Sequence, residues 1–348
     1  MRILLTADPG VSVPPIGYGG IERIVDSLVR HYVEYGHEVA LISQTGSTSP
    51  ASKRYNWPGT RPTARIASLR NALALRRAVR EFRPDILHSF SRLIYLLSQL
   101  CSPLPKVMSY QRHTGGRQIA IAAQFAGLSL HFTGCSRFIS QQGSRAGGTW
   151  TSVPNFVDPT KFAFVPSAPA DAPLVFLSRI ESIKGANIAI NIARAARRRL
   201  ILAGNHASHG PEADYWRDKI APHLGRDGIE WIGEVNDAQK NALLGGAAAL
   251  LVPIQWDEPF GIVFVEALAA GTPVITCARG ATPEIIEDGV TGFFIRGVND
   301  GAEAVYRLPL LSRARCRKAV EERFTVAHCA EKYLEVYRSV IARTSASR

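Results

Sequence analysis

The 348-residue chain has few cysteines and none in a useful arrangement. Cys101, Cys135, Cys277, Cys316 and Cys329 are scattered, odd in number and contain no CxxC pair. Such spacing offers neither a disulfide framework nor a zinc site, so a reducing, cytoplasmic location is the expectation. No apolar run approaches the ~20 residues that a bilayer-spanning helix needs. The opening Ile3-Leu4-Leu5-Thr6 is too short for a signal-peptide core and reads as a buried first strand. A G-x-G-x-x-G spacing is also missing, because Gly17, Gly19 and Gly20 fail it. That disfavours an NAD-dependent oxidoreductase. Basic stripes interleaved with aromatics are absent as well, which argues against a nucleic-acid-binding module.

What is present is globular. Hydrophobic residues make up 46% and charged residues 20%, on a length comfortable for two α/β cores. The net charge of +12 is uneven: residues 1–163 hold 19 Lys and Arg against 8 Asp and Glu, and the remainder 22 against 21. The first half should therefore meet something anionic (a membrane surface, a phosphorylated acceptor or nucleic acid), or it is an ordinary solvated basic surface; composition favours neither. The helix expected over Ala67–Phe82 carries Arg70, Arg76, Arg77 and Arg80 beside Leu69, Leu73, Leu75 and Val79. It is the best candidate for peripheral contact with the inner face of a membrane, against the plainer reading of a surface helix whose apolar face is core.

Strand-like runs alternate with helical patterns throughout, which predicts parallel sheets. Strands are expected at Arg2–Thr6, Glu38–Ser43, Asp85–Ser89, Lys106–Tyr110 and His131–Cys135. A helix is expected over Ile21–Tyr35, and loop from 44 to 63. Pro and Ala then dominate up to Pro173, which reads as a linker over 161–173 between domains 1–160 and 174–325. The rhythm restarts with strands Leu174–Ser178, Leu200–Ala203, Ile229–Ile232, Ala249–Val252 and Pro273–Thr276. Helices are expected at Ala186–Arg197, Gly261–Ala270 and Thr282–Glu287, and an amphipathic helix over Val326–Ile341. The segment 326–348 is expected to return to the N-terminal domain.

The sharpest motif runs from Glu258 to Ile275. A strand enters a loop holding Glu258, and a helix begins at Gly261. Its first amides, on Gly261, Ile262 and Val263, have no partner within the helix and sit at the positive end of its dipole, which suits a diphosphate or a sugar hydroxyl. Glu266 lies about 1.4 turns further on and can accept from vicinal ribose hydroxyls. Glu258 can reach sugar hydroxyls. A second motif, Arg179-Ile180-Glu181-Ser182-Ile183-Lys184-Gly185, puts two cations in one loop between strand and helix. Such a pair can neutralise the charge that grows on a departing nucleoside diphosphate. A third, Gly17-Tyr18-Gly19-Gly20-Ile21-Glu22, opens the first helix with glycines that admit a ligand close to the backbone.

These motifs resemble those of retaining, GT-B-fold glycosyltransferases of the family-4 type, whose E-x(7)-E is matched by Glu258 and Glu266. Gly280–Ile286, Asp288–Phe293 and Val153-Pro154-Asn155-Phe156-Val157-Asp158 are similar to further family segments, with Phe156 where the family usually has Gly. The resemblance covers most of the chain and is most specific from Leu174 to Phe294. It implies an α/β fold of two Rossmann-like domains facing across a cleft, and sugar transfer from a UDP- or GDP-sugar to a hydroxyl acceptor with retention. It also implies that no metal or other cofactor is needed, with Arg179 and Lys184 neutralising the diphosphate. Gly19 and Gly20 would face the donor, His113 would contact the transferred sugar, and the backbone near Val235 in Gly233-Glu234-Val235 would hold the base. His88 reads as structural. The acceptor is open (lipid-linked, glycan or small molecule), and cell-envelope or polysaccharide biosynthesis is the implied setting. A non-catalytic binding protein on the same fold is the alternative.

Overall fold

The computed structural model describes residues 1–17, 19–60, 65–113 and 115–346. Tyr18 of the third motif, Thr114 beside His113, and residues 61–63 of the expected loop lie outside these. The chain divides into two compact units, one of Met1–Phe156 together with the chain from Val326 onward, the other of Val157–Thr325.

The first unit is built on seven parallel strands: β1 (Arg2–Thr6), β2 (Glu38–Ser43), β3 (Lys53–Asn56), β4 (Ile86–Ser89), β5 (Lys106–Tyr110), β6 (Leu130–Gly134) and β7 (Trp150–Ser152). They are ordered β3-β2-β1-β4-β5-β6-β7. Helices α1 (Gly20–Glu34), α2 (Arg65–Phe82), α3 (Gly116–Ala126) and α4 (Arg137–Ser144) connect them. Strands β1, β4 and β6 are buried along nearly their whole length, as a parallel sheet covered on both faces requires. Strand β3 falls inside the stretch expected to be loop. It is short, polar and largely exposed at the sheet edge, so it has no apolar signature. Strand β7 and helices α3 and α4 likewise lie where no element was expected.

The second unit repeats the plan with six strands: β8 (Leu174–Leu177), β9 (Leu200–Ala203), β10 (Ile229–Trp231), β11 (Ala249–Val252), β12 (Val274–Thr276) and β13 (Gly292–Phe294), ordered β10-β9-β8-β11-β12-β13. Its helices are α5 (Ala186–Ala195), α6 (Pro211–Tyr215), α7 (Asp237–Gly246), α8 (Ile262–Ala269), α9 (Thr282–Ile285), α10 (Val298–Arg307) and α11 (Arg313–Arg323). The Pro- and Ala-rich segment is tied to this unit, since the Val165 N–H donates to the Ala270 carbonyl at 3.1 Å and the Arg313 guanidinium to the Val165 carbonyl at 2.7 Å.

Helix α12 (Val326–Ala346) belongs to the first unit. Its Tyr337 hydroxyl meets His88 Nδ1 at 2.5 Å, and His88 Nε2 meets the Ser109 hydroxyl at 2.6 Å. Burial pushes the His88 imidazole down to about 3, so it is a neutral, fully satisfied core group. In both sheets the order reverses beside the first strand, between β1 and β4 and between β8 and β11. Open parallel sheets bind ligands outside the carboxyl ends of the strands at such a switch point.

Candidate active site

The loops after β8 and β11 flank the switch point of the second unit. The first leads from Arg179 through a tight turn to Lys184 and Gly185; the second carries Trp256 and Glu258 to α8. What brings them together is close backbone packing. Gly185 has φ +78°, and a Cβ there would fall 2.1 Å from the Pro253 carbonyl oxygen. Gly280 has φ +60°, and a Cβ there would lie 2.4 Å from the Glu258 backbone. The loops after β8 and β11 can close on each other only if Gly185 lacks a side chain, and the loop after β12, which holds Gly280, can back Glu258 only if that position lacks one too.

The result is a compact cationic–anionic cluster. Lys184 Nζ donates to Glu258 Oε2 at 2.6 Å, with side chains only 11% and 13% exposed. The same carboxylate oxygen accepts from Trp256 Nε1 at 2.8 Å, and the ammonium lies 4.6 Å from the centre of the Trp256 ring. The pair joins residues 74 apart in sequence. Three positions downstream, Gly261 takes φ +94° and caps α8, which starts at Ile262 rather than at the glycine itself. The first-turn amides of Ile262 and Val263 have no partner within the helix, so the positive end of α8 opens beside Glu258.

Two further residues are engaged differently from what the motifs suggest. Arg179 does not join Lys184 here: its guanidinium pairs with Glu181 of the same loop at 2.5 Å and is about half exposed. Glu266, one turn into α8, is held by the Lys240 ammonium of α7, and Lys240 also lies 3.5 Å from Asp237. The sequence reading missed Lys240 because it is 26 residues from Glu266 and sits in a helix without a marked motif. Its one local signal is the capping box of Asn236 and Gln239, which fixes where α7 begins and so where Lys240 points.

Val235 lies in the turn between β10 and α7 and is half-buried. The Gly204 N–H donates to the Gly233 carbonyl at 2.7 Å, tying this turn to the end of β9. Gly19, Gly20 and His113 belong to the first unit. Gly19 precedes α1, where a Cβ would overlap Pro15 at 2.6 Å, and Gly20 is the first residue of that helix. Close by in sequence, Glu22 is buried, and burial together with Asp8 raises its carboxyl above the ordinary range despite Arg112. His113 is exposed, with Nδ1 3.2 Å from the Gln142 amide oxygen and its ring edge-on to Phe138.

Comparison with known proteins agrees with this architecture. Residues 159–321 match the family described as glycosyl transferases group 1, and residues 18–161 match Glycosyltransferase Family 4. The chain therefore belongs to these GT-B-fold glycosyltransferases. It is 26% identical to the glycogen synthase of Mycobacterium tuberculosis (strain H37Rv) over 97% of this chain and 95% of that one. It is 31% identical to the D-inositol 3-phosphate glycosyltransferase of Mycobacterium leprae over 52% of this chain and 45% of that one. Among solved structures, a glycosyltransferase involved in avilamycin A biosynthesis superposes with a TM-score of 0.72 at 26% identity, covering 98% of each chain. HepE of Anabaena, solved with UDP and glucose, superposes with a TM-score of 0.73 at 18% identity, covering 97% of this chain and all of that one.

Proposed function

We propose that this glycosyltransferase moves a hexose-type sugar from a UDP- or GDP-sugar to a hydroxyl acceptor, with retention at the anomeric carbon and without a metal. The observation that carries the reading is the Lys184–Glu258 pair at the open start of α8, at the switch point of the second unit. Such a place offers a diphosphate both a helix N-terminus and a mobile ammonium. The bond from the anomeric carbon to the diphosphate oxygen breaks as the acceptor oxygen bonds that carbon on the same face. The acceptor proton passes to the departing diphosphate. Lys184 leaves Glu258 for the growing negative charge, Arg179 adds its fork from the loop, and Glu258, released, accepts from hydroxyls of the transferred sugar. Glu266 accepts from the ribose, and the turn at Val235 carries the base. HepE, solved with UDP and glucose, shares only the fold, and makes UDP-sugars the first donors to try.

The test is hydrolysis of UDP-glucose, UDP-N-acetylglucosamine, UDP-galactose and GDP-mannose, followed by transfer once an acceptor is found. Lys184→Ala is expected to slow turnover of the active donor by about a hundredfold or more, with the fold intact by circular dichroism. Full activity in that variant removes Lys184 from the mechanism. Inverted anomeric configuration in the product, read by NMR, refutes retention, and loss of activity with EDTA refutes metal independence.

A further inference from the structure

The first unit has a cavity of about 710 Å³ of its own, with His113 among its lining residues. It opens at the carboxyl ends of β1, β4 and β5, at that sheet's own switch point, and is closed on one side by α2 and the helical turn Leu93–Gln99. Its walls are of two kinds. Leu69 and Leu73 of α2 face Ile94 and Leu97 of the turn, and these four side chains are 45–64% exposed. Four large apolar groups left open to water around one cavity need a partner to cover them. The expectation that the apolar face of α2 is all core is thus only half met: Leu75 is buried, but Leu69 and Leu73 are not.

The other part of the lining is cationic, and it adjoins the first, since Arg65 lies one turn before Leu69 on α2. Arg65, Arg92 and Arg112 line it, and Asp8, 3.7 Å from Arg92, is the one acid among the described lining residues. The sequence from Ile86 to Val157 contains no Asp or Glu while it carries six Lys and Arg, and outside that stretch the buried Glu22 interacts with Arg112. Gln111 also lines the cavity, and its amide oxygen and nitrogen are both shielded and without a hydrogen-bond partner in the protein. A group that both donates and accepts, such as a hydroxyl, would satisfy both atoms.

From this we infer that the cavity is the acceptor site of the transferase proposed above, and that its occupant is an amphiphilic phosphate: a phosphoryl headgroup on the arginines, a hydroxyl at Gln111 and a hydrocarbon chain across Leu69, Leu73, Ile94 and Leu97. A polar phosphorylated acceptor would use the arginine wall and leave the leucine wall wet. The two walls together select a molecule with both halves, and they make the acceptor a lipid phosphate.

Calorimetric titration of the full chain with n-octyl phosphate, inorganic phosphate and n-octanol tests this. Octyl phosphate is expected to bind at least about thirtyfold more tightly than inorganic phosphate, from the apolar area that its chain covers. Leu69→Ser with Leu73→Ser, both at exposed positions, is expected to weaken octyl phosphate about tenfold and to leave inorganic phosphate unchanged. Arg112→Gln is expected to weaken both phosphates and to spare octanol. Equal affinity for octyl phosphate and inorganic phosphate overturns the lipid assignment in favour of a polar phosphorylated acceptor. Indifference of octyl phosphate to both variants, or no binding at all, overturns the site. Donor hydrolysis on the same samples separates the two readings. Octyl phosphate binding without turnover of any nucleotide sugar refutes glycosyl transfer and leaves the cavity standing. Turnover without selective octyl phosphate binding refutes the cavity alone.

Discussion

The two units share one plan and differ in the ionisable groups shielded nearest their strand ends. The first buries single ionisable side chains in its sheet: His88, His131 and Lys106 are each 5% exposed or less. Each is bonded to neutral partners, His131 to the Thr151 hydroxyl at 2.9 Å and Lys106 to the Ser129 hydroxyl at 2.6 Å. Burial pushes His131 down to about 4 and Lys106 to about 8. The second unit also buries Arg313 on carbonyls and the Thr272 hydroxyl, but around its candidate site it keeps shielded charges in opposite-sign pairs, Lys184 with Glu258 and Lys240 with Glu266. A buried neutral base makes stability depend on pH; a shielded ion pair makes it depend on a partner, which a charged ligand can replace.

The largest effect expected from this contrast is acid lability greater in the first unit than in the second, where burial lowers only the partly exposed His223 among the described histidines. His88 and His131 titrate near 3 and 4 when folded and near 6.5 when unfolded, so below pH 6.5 the unfolded chain binds more protons. Their contribution is fully present above that value and is lost as pH falls towards 4, at about 1.4 kcal/mol per pH unit for each histidine. Hydrogen exchange of the full chain, corrected for the intrinsic rate, should show protection falling over β4 and β6 between pH 7 and pH 5 while β8 and β11 hold. An equal fall in both units would erase the distinction.

Next in size is Gly185→Ala. The added Cβ meets the Pro253 carbonyl in a left-handed backbone position, so strain and overpacking together should cost about 2–4 kcal/mol in urea unfolding. It should also depress donor turnover, because the loop that aims Lys184 must move. Retained stability with unchanged turnover would show that the loops close without that contact.

How much of this was legible in the sequence follows from where each signal lies. The βα rhythm gave both sheets, because buried parallel strands such as Leu174–Leu177 and Ala249–Val252 are continuous apolar runs. Edge strand β3 has the composition Lys-Arg-Tyr-Asn and gave no such run. Glu258, Gly261 and Glu266 were readable because one loop and one helix hold all three. That Lys184 meets Glu258 rather than Arg179 was not readable, since it depends on two glycines, Gly185 and Gly280, whose closeness to other backbone appears only in three dimensions. The cavity of the first unit was hidden for the same reason: its walls come from α2, from the turn after β4 and from the end of β5, and in α2 the leucines look like ordinary core.

A smaller effect tests the pairing in the second unit. If the Lys240 ammonium holds the Glu266 carboxylate in place for ribose, Lys240→Met should weaken nucleotide-sugar binding about fivefold, on the scale of one charge-assisted hydrogen bond, and Lys240→Arg should restore most of it. Tighter donor binding in Lys240→Met would reverse the role, making the lysine a competitor that the ribose must displace.

The smallest effect is expected where the charge is most conspicuous. Arg77 on α2 pairs with Glu81 at 2.7 Å, but its side chain is 81% exposed and Lys53 also reaches that carboxylate at 3.7 Å. An exposed pair one turn apart contributes little, because water and salt screen it and two long side chains must be ordered. Arg77→Ala should therefore leave the urea midpoint essentially where it was, at low and at high salt alike. A larger, salt-sensitive loss would mean that the arginines of α2 hold the first unit together, and that its basic surface is part of the fold rather than free to meet an anionic ligand.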